Sequence, residues 1–223
     1  GGHTGVVNSM AFELAGISSD TADPEGGRYF REDGELTGKV AEHAREAFFS
    51  VGTWPVMDRG IRQQAATISS RNMAAAGLTS TTDAYGTYDD LVAYQDARDA
   101  DELFFRLAFM PGGNSEVYKG FKTAGIRSGF GDDVIRIGAV KFSADGSASE
   151  RTMYMSTPYE GTDDHGIRTM SQDEIYAAVE DAVEHGFRVG IHANGDVTID
   201  MVLNAYERVL ANHEGPNPRH RIE

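Results

Sequence analysis

The sequence predicts an α/β protein built on a parallel sheet, and three observations carry that expectation. From Leu78 onward, short apolar runs alternate with helical patterns, strand then helix, through to the last residues. The apolar runs are continuous rather than alternating, which suits strands covered on both faces. The clearest is VIRIGAVKFSADG, from Val134 to Gly146, where Ile135, Ile137, Val140 and Phe142 are β-branched or aromatic. Finally, two of these runs finish at side chains that bind ligands: Lys141 near the end of that stretch, and His192 at the end of RVGIH. Open α/β sheets and (β/α)₈ barrels gather their chemistry at the carboxyl ends of strands. The alternation yields five strands, too few to close an eight-stranded barrel. It fits an open doubly wound sheet, or most of a barrel with its ends missing.

Taken in order, residues 3–17 begin polar and become a short helix, with Asn8 as N-cap, Ala11, Leu14 and Ala15 as an apolar stripe, and Gly16 as terminator. RYFRE and ELTGKV flank Asp33-Gly34, a two-residue hairpin signal. The first quarter is therefore a helix plus a hairpin, outside the β-α alternation. Residues 56–76 carry a helical period through Ile61, Ala65, Ile68 and Met73, closed by Gly77. A strand follows over Leu78–Asp83, a helix over 88–100 with Leu91, Val92 and Tyr94, and a strand over Leu103–Met110 stopped by Pro111-Gly112-Gly113. A weaker helix spans 116–130, and then comes the Lys141 strand. Residues 150–168 form a polar connection, longer than the usual span of about two to six residues, and predict a functional lid. Ser171 and Glu174 make a capping box before Ile175, Ala178, Val179, Ala182 and Val183, and Gly186 ends that helix. After the His192 strand, a helix turns Ile199, Val202, Leu203, Tyr206, Val209 and Leu210 inward, Gly215-Pro216 breaks it, and RHRIE opens one more strand.

Composition narrows the function. A length of 223 residues fits one domain. The formal net charge of −15 argues against nucleic acid and anionic membrane surfaces, both of which need clustered cations. With no cysteine, a metal must be held by histidine, carboxylate or a modified lysine. There is no membrane-length apolar run and no signal peptide, which points to the cytoplasm. The chain opens on Gly1-Gly2 rather than Met and stops at Glu223 within a strand, so both ends read as cut.

Each candidate residue has a chemical and a plain reading. His192, followed by Ala-Asn-Gly-Asp, is a metal ligand or general base, or else a hydrogen-bonded core histidine; the polar turn favours the former. Lys141 is a strand-end ammonium in water or, if buried, a free amine acting as base or Schiff-base nucleophile, or a carbamate bridging two metals. Asp83 and Asp145, at or just past strand ends, are candidates to orient ligands from the second shell, with turn or cap roles as the plain alternative. Asp196 reads as a helix-opening aspartate, His185 as a helix-end residue and His165 as a loop residue.

GHTGVVNSMAFELAGI, Asp-Pro-Glu-Gly-Gly-Arg, DGELTGKV, AAAGLTSTTD, VKFSADGS, IHANGD and RHRIE, in that order, resemble amidohydrolase family 3, a metal-dependent branch of the amidohydrolase superfamily. The resemblance covers nearly the whole chain. It implies a partial (β/α)₈ barrel of about strands two to six, one incomplete barrel domain over 1–223. Residues 1–55 would be an insertion over the barrel mouth and 56–223 the β/α units. Lys141 matches the fourth-strand lysine, often carboxylated in this superfamily, and His192 the fifth-strand histidine. His3 and Asn8 fall in the best-matched segment, which implies a place facing the substrate. Departures are equally specific: there is no His-x-His, the sixth-strand histidine would follow Glu223, and the eighth-strand aspartate is absent. The implied activity is metal-assisted hydrolysis of a non-peptide C–N bond, an amide or cyclic amide, in a small-molecule substrate. One or two divalent cations, zinc by expectation, would serve it, and this chain alone would be inactive. The alternative is a non-catalytic α/β small-molecule binding module. An unclosed barrel also exposes sheet edges, which predicts self-association into a homo-oligomer.

Overall fold

The computed structural model describes residues 2–211, 213–215 and 217–223, so the predicted break at Pro216 and the opening Gly1 lie outside the described residues. The N-terminal part holds β1 (Thr4–Val6), α1 (Ser9–Ala15), β2 (Gly27–Glu32) and β3 (Glu35–Glu42), followed by a 3-10 turn over His43–Phe48. The three strands make an antiparallel sheet in the order β1-β3-β2. The expected hairpin forms because Asp33 and Gly34 both take positive φ, 50° and 85°, as a type I′ turn requires. Asn8 caps α1 by accepting the Ala11 N–H, and Gly16 closes it at φ 69°. Ala11 and Ala15 pack inward as expected, but Leu14 is exposed, and Phe12 packs with Tyr29, Val40, Ala44 and Phe48 in a small core of its own. β1 is too short and polar for a sequence pattern to reveal; pairing with β3 creates it.

The remainder alternates as expected: α2 (Arg59–Ala75), β4 (Ser80–Gly86), α3 (Tyr88–Asp99), β5 (Arg106–Pro111), α4 (Glu116–Ala124), β6 (Ile135–Ile137), β7 (Ala139–Ser143), α5 (Gln172–Glu184), β8 (Arg188–His192), α6 (Asp196–Leu210) and β9 (Arg221–Ile222). Every strand pair from β4 onward is parallel, in two three-stranded sheets, β4-β5-β6 and β7-β8-β9. The single expected strand over 134–142 is interrupted at Gly138, where a Cβ would lie 3.3 Å from Met110 Cγ and from the Phe109 oxygen. The two sheets stay joined there: Gly138 N–H donates to Phe109 (2.7 Å) and Gly113 N–H to Lys141 (2.9 Å). Strand order follows the chain without the reversal of a doubly wound sheet. No closed barrel forms among the described residues.

Pleating sorts the side chains of these sheets onto two faces. Leu107, Phe109, Val140, Phe142, Val189 and Ile191 face the helices and form the main core with Tyr118, Ile175, Val179 and Val202. One expected helix face is rotated. On α2, Ile61 and Ile68 are exposed, while Ala66, Thr67 and Ser70 are buried, because Thr67 and Ser70 bond to Glu102 ahead of β5. On α6 the expected face holds, with Val202 and Tyr206 buried and Ile199 and Val209 packed on the core; Leu203 alone is exposed, and Met201 and Ala205 are buried beside them.

His220, just before β9, stacks on Tyr206 with ring centroids 5.0 Å apart and accepts the Val189 N–H at 3.1 Å. Burial lowers its pKa to about 4, so the folded chain keeps this imidazole neutral where the unfolded chain protonates near 6.5. Between those two values the unfolded state binds more protons, and stability falls as pH falls from about 6.5 towards 4. Urea midpoints measured across that window should drop in the native chain and drop less in His220→Asn, which keeps an acceptor for Val189. Equal slopes would refute this.

Candidate metal centre

Register brings Lys141 and His192 to one neighbourhood. Lys141 pairs with Gly190 across β7 and β8, and Ser143 pairs with His192. The two side chains therefore share the face turned away from the helices, one strand and two residues apart, roughly 8 Å between Cα atoms. Met110, Gly190 and Glu223 lie on this face too; a Cβ at Gly190 would sit 2.8 Å from Met110 Cε and 3.6 Å from Glu223 Cδ.

Lys141 is buried, and its Nζ lies 3.1 Å from Glu223 Oε2 and 5.7 Å from the centroid of the Tyr85 ring. Burial pushes its pKa down, with Glu223 opposing. Burial raises the Glu223 carboxyl in turn, but Lys141 and Arg221 together hold it below the usual range. The strand-end ammonium in water is thereby excluded. Glu223 was not singled out by sequence, where it is merely a charge after an apolar residue.

His192 Nε2 lies 2.8 Å from the Gly146 carbonyl, an acceptor, so Nε2 carries the proton and Nδ1 the lone pair. Asp145 Oδ1 stands 3.9 Å from the same Nε2. Asp145 is fully buried and fixes the turn behind the histidine. It accepts the N–H groups of Asn194 (3.0 Å), Gly195 (2.7 Å) and Tyr154 (3.0 Å) and the Thr198 hydroxyl (2.6 Å). Asp145 thus holds the turn that follows His192. Asp83 is placed elsewhere. It lies inside β4, which extends to Gly86, and shares the helix-side face with Phe109, where its carboxylate meets Tyr94 of α3.

His3 does join the cluster: its ring stacks on that of His192, centroids 4.8 Å apart and 29° between planes. Its Nδ1 lies 2.9 and 3.1 Å from the two oxygens of Glu42, a buried residue that sequence reasoning passed over. Asn8 stays apart, its side chain occupied in capping α1. His165 Nδ1 is bound to the Met155 carbonyl at 2.9 Å and does not reach inward.

The connection over 150–168 is a packed tether rather than a free lid. Thr152 and Ile167 are buried, and Arg28 of β2 grips Asp164 with two bonds of 2.5 and 2.9 Å. The Tyr154 carbonyl passes so close to α6 that a Cβ on Gly195 would lie 1.8 Å from its oxygen. Gly195→Ala should therefore cost about 2 kcal/mol by overpacking; chemical denaturation checks it, and an unchanged midpoint would refute the contact.

The donor chemistry suits a divalent cation only in part. A buried lysine and an imidazole with a free Nδ1 lone pair share one face, yet among the described residues no three His, Asp or Glu side chains converge on a metal position. A cavity of about 770 Å³ lies at the opposite, amino end of β4 and β5, lined by Thr82, Arg106, Ala108 and Arg136. Its lining includes none of the donors described above.

Comparison with known proteins gives the chain a family. The profile described as "Amidohydrolase family" matches residues 1–223. The chain belongs to the amidohydrolase family. This amidohydrolase chain is 28% identical, over 98% of its length, to YtcJ of Bacillus subtilis (strain 168), a protein named as an amidohydrolase. It is 29% identical to Long After Far-Red 3 of Arabidopsis thaliana, over 100% of the chain. It is also 28% identical to the N-substituted formamide deformylase of Arthrobacter pascens, over 93%. It spans about 40% of the length of each of these relatives. Two solved structures share the fold, both uncharacterised metal-dependent hydrolases, from Pyrococcus horikoshii (TM-score 0.68, 24% identity) and Pyrococcus furiosus (TM-score 0.67, 24% identity). The chain covers 93% of itself and 40% and 42% of those chains, respectively. No helix among the described residues is long and apolar enough to cross a membrane.

Proposed function

We propose that this chain is the central part of a metal-dependent amidohydrolase whose cation is held from one side by Lys141 and His192. The observation that carries the proposal is the shared face: a buried lysine and an imidazole delivered by adjacent parallel strands of a family-matched chain. The consecutive strand order from β4 to β9 supports an arc of a (β/α)₈ barrel, about strands two to six, within one domain that includes residues 1–55. The 40% coverage of relatives supports a longer parent protein that supplies the other ligands.

In that reading Lys141, carboxylated or as the free amine, and His192 through Nδ1 hold a divalent cation, zinc by expectation. When bound, such an ion lowers the pKa of water to about 7 and polarises a carbonyl. Asp145 fixes the turn that aims His192. His3, stacked on His192, lies where it can touch a substrate. The bond cleaved is a non-peptide C–N bond, an amide or cyclic amide, in a small molecule; the likeness to a deformylase supports this class. Two ligands do not complete a coordination shell, so the 223-residue chain alone should bind zinc weakly and not turn over.

The test is hydrolysis by the full-length protein that carries this chain, loaded with zinc and offered N-substituted formamides, N-acyl amines and cyclic amides in ¹⁸O-water. The expected result is release of amine with ¹⁸O in the new carboxylate. No hydrolysis by a zinc-saturated full-length protein would sink the proposal.

A further inference from the structure

We infer that Glu42 is a positioning residue of this centre, holding His3 in one tautomer against His192; only its kinetic consequence rests on the hydrolase reading above. Glu42 is the last residue of β3, after the core residues Val40 and Ala41, and its side chain is 6% exposed. The antiparallel sheet has no use for a buried carboxylate there. Its backbone sits at φ 49°, ψ −128°, a region that favours glycine. A glutamate kept in such a place is explained by its side chain, and strained residues of this kind collect at functional sites.

The hydrogen-bond directions are determined. Ser147 N–H donates to Thr152 Oγ1 at 2.9 Å, and the Thr152 hydroxyl then gives its own proton to Glu42 Oε1 at 2.8 Å. A carboxylate only accepts. The 2.9 and 3.1 Å contacts from His3 Nδ1 therefore place a proton on Nδ1, which in the neutral ring leaves the lone pair on Nε2. The chain Ser147–Thr152–Glu42–His3 thus runs from the long connection, through the N-terminal sheet, to a ring stacked 4.8 Å from the proposed ligand His192. His3 is left with an acceptor nitrogen beside the metal centre, suited to an N–H donor on a bound amide.

Glu42→Gln tests this with no change of shape. Thr152 commits its proton to the glutamine oxygen, so the glutamine amide must donate to His3 Nδ1 and move the imidazole proton to Nε2. The experiment uses the full-length protein with ¹⁵N-labelled histidine, the His3 signals being those lost in His3→Asn. The native protein should show His3 as the Nδ1–H tautomer and the variant as Nε2–H. In the variant kcat should fall at least about tenfold, with KM within about threefold and zinc content unchanged. A native His3 protonated on Nε2, or as a mixture, overturns the inference even if the variant does not fold. Native tautomer and kcat retained in Glu42→Gln also overturn it, leaving the hydrolase reading intact. A native Nδ1–H tautomer in a protein that cleaves no amide supports the positioning role and sinks the hydrolase reading instead.

Discussion

Replacing Asp145 by alanine should destabilise the folded chain by about 4 kcal/mol, because the change strands several buried donors at once. Three backbone N–H groups, those of Tyr154, Asn194 and Gly195, and the Thr198 hydroxyl all end on this fully buried carboxylate. Asp145→Asn separates the contributions. Three of the donors converge on Oδ2, which an asparagine oxygen replaces, while its amide would confront the Asn194 N–H. Its cost should be about half that of alanine. Urea denaturation reads both, and a midpoint unchanged in Asp145→Ala would show that the turn behind His192 is held by something else.

The second large effect concerns chemistry rather than stability. On the proposed function, Lys141→Met in the full-length protein should lower amide hydrolysis by about a thousandfold or more, since losing the proposed ligand should exceed the 10–100-fold loss typical of outer groups. The fold should change little, by about 1 kcal/mol, because a buried ion pair with Glu223 is replaced by an apolar side chain of similar volume. Glu223 keeps Arg221 as partner. His192→Ala should give a comparable loss of rate. A Lys141→Met enzyme with native kcat would remove the lysine from the mechanism.

Much of the fold was readable because its signals are local. Capping by Ser171 and Glu174 and the Asp33-Gly34 turn act within a few residues and form where the sequence places them; the strands come in the expected order, with β4 and β5 starting two or three residues later and the Lys141 strand divided at Gly138. Helix faces were less readable: α2 buries small residues while Ile61 and Ile68 face outward, and residue size alone pointed the other way. That Lys141 and His192 come close together was legible because each lies at the end of a strand and the two strands pair in parallel. Glu42 and Glu223 were not, since each meets its histidine or lysine across 39 or 82 positions. Asp83 misled because β4 runs on past it to Gly86 and turns its carboxylate to the helices. Asn8 is a cap, as its local pattern says, and the resemblance that placed it near a substrate has no geometric support.

Counting bound metal in the full-length protein tests the shared cation most directly. Elemental analysis of native protein, Lys141→Met and His192→Ala, each purified with zinc present and then desalted, should give one or two equivalents for the native form and less than half that for either variant. Native metal content in both variants would contradict the account.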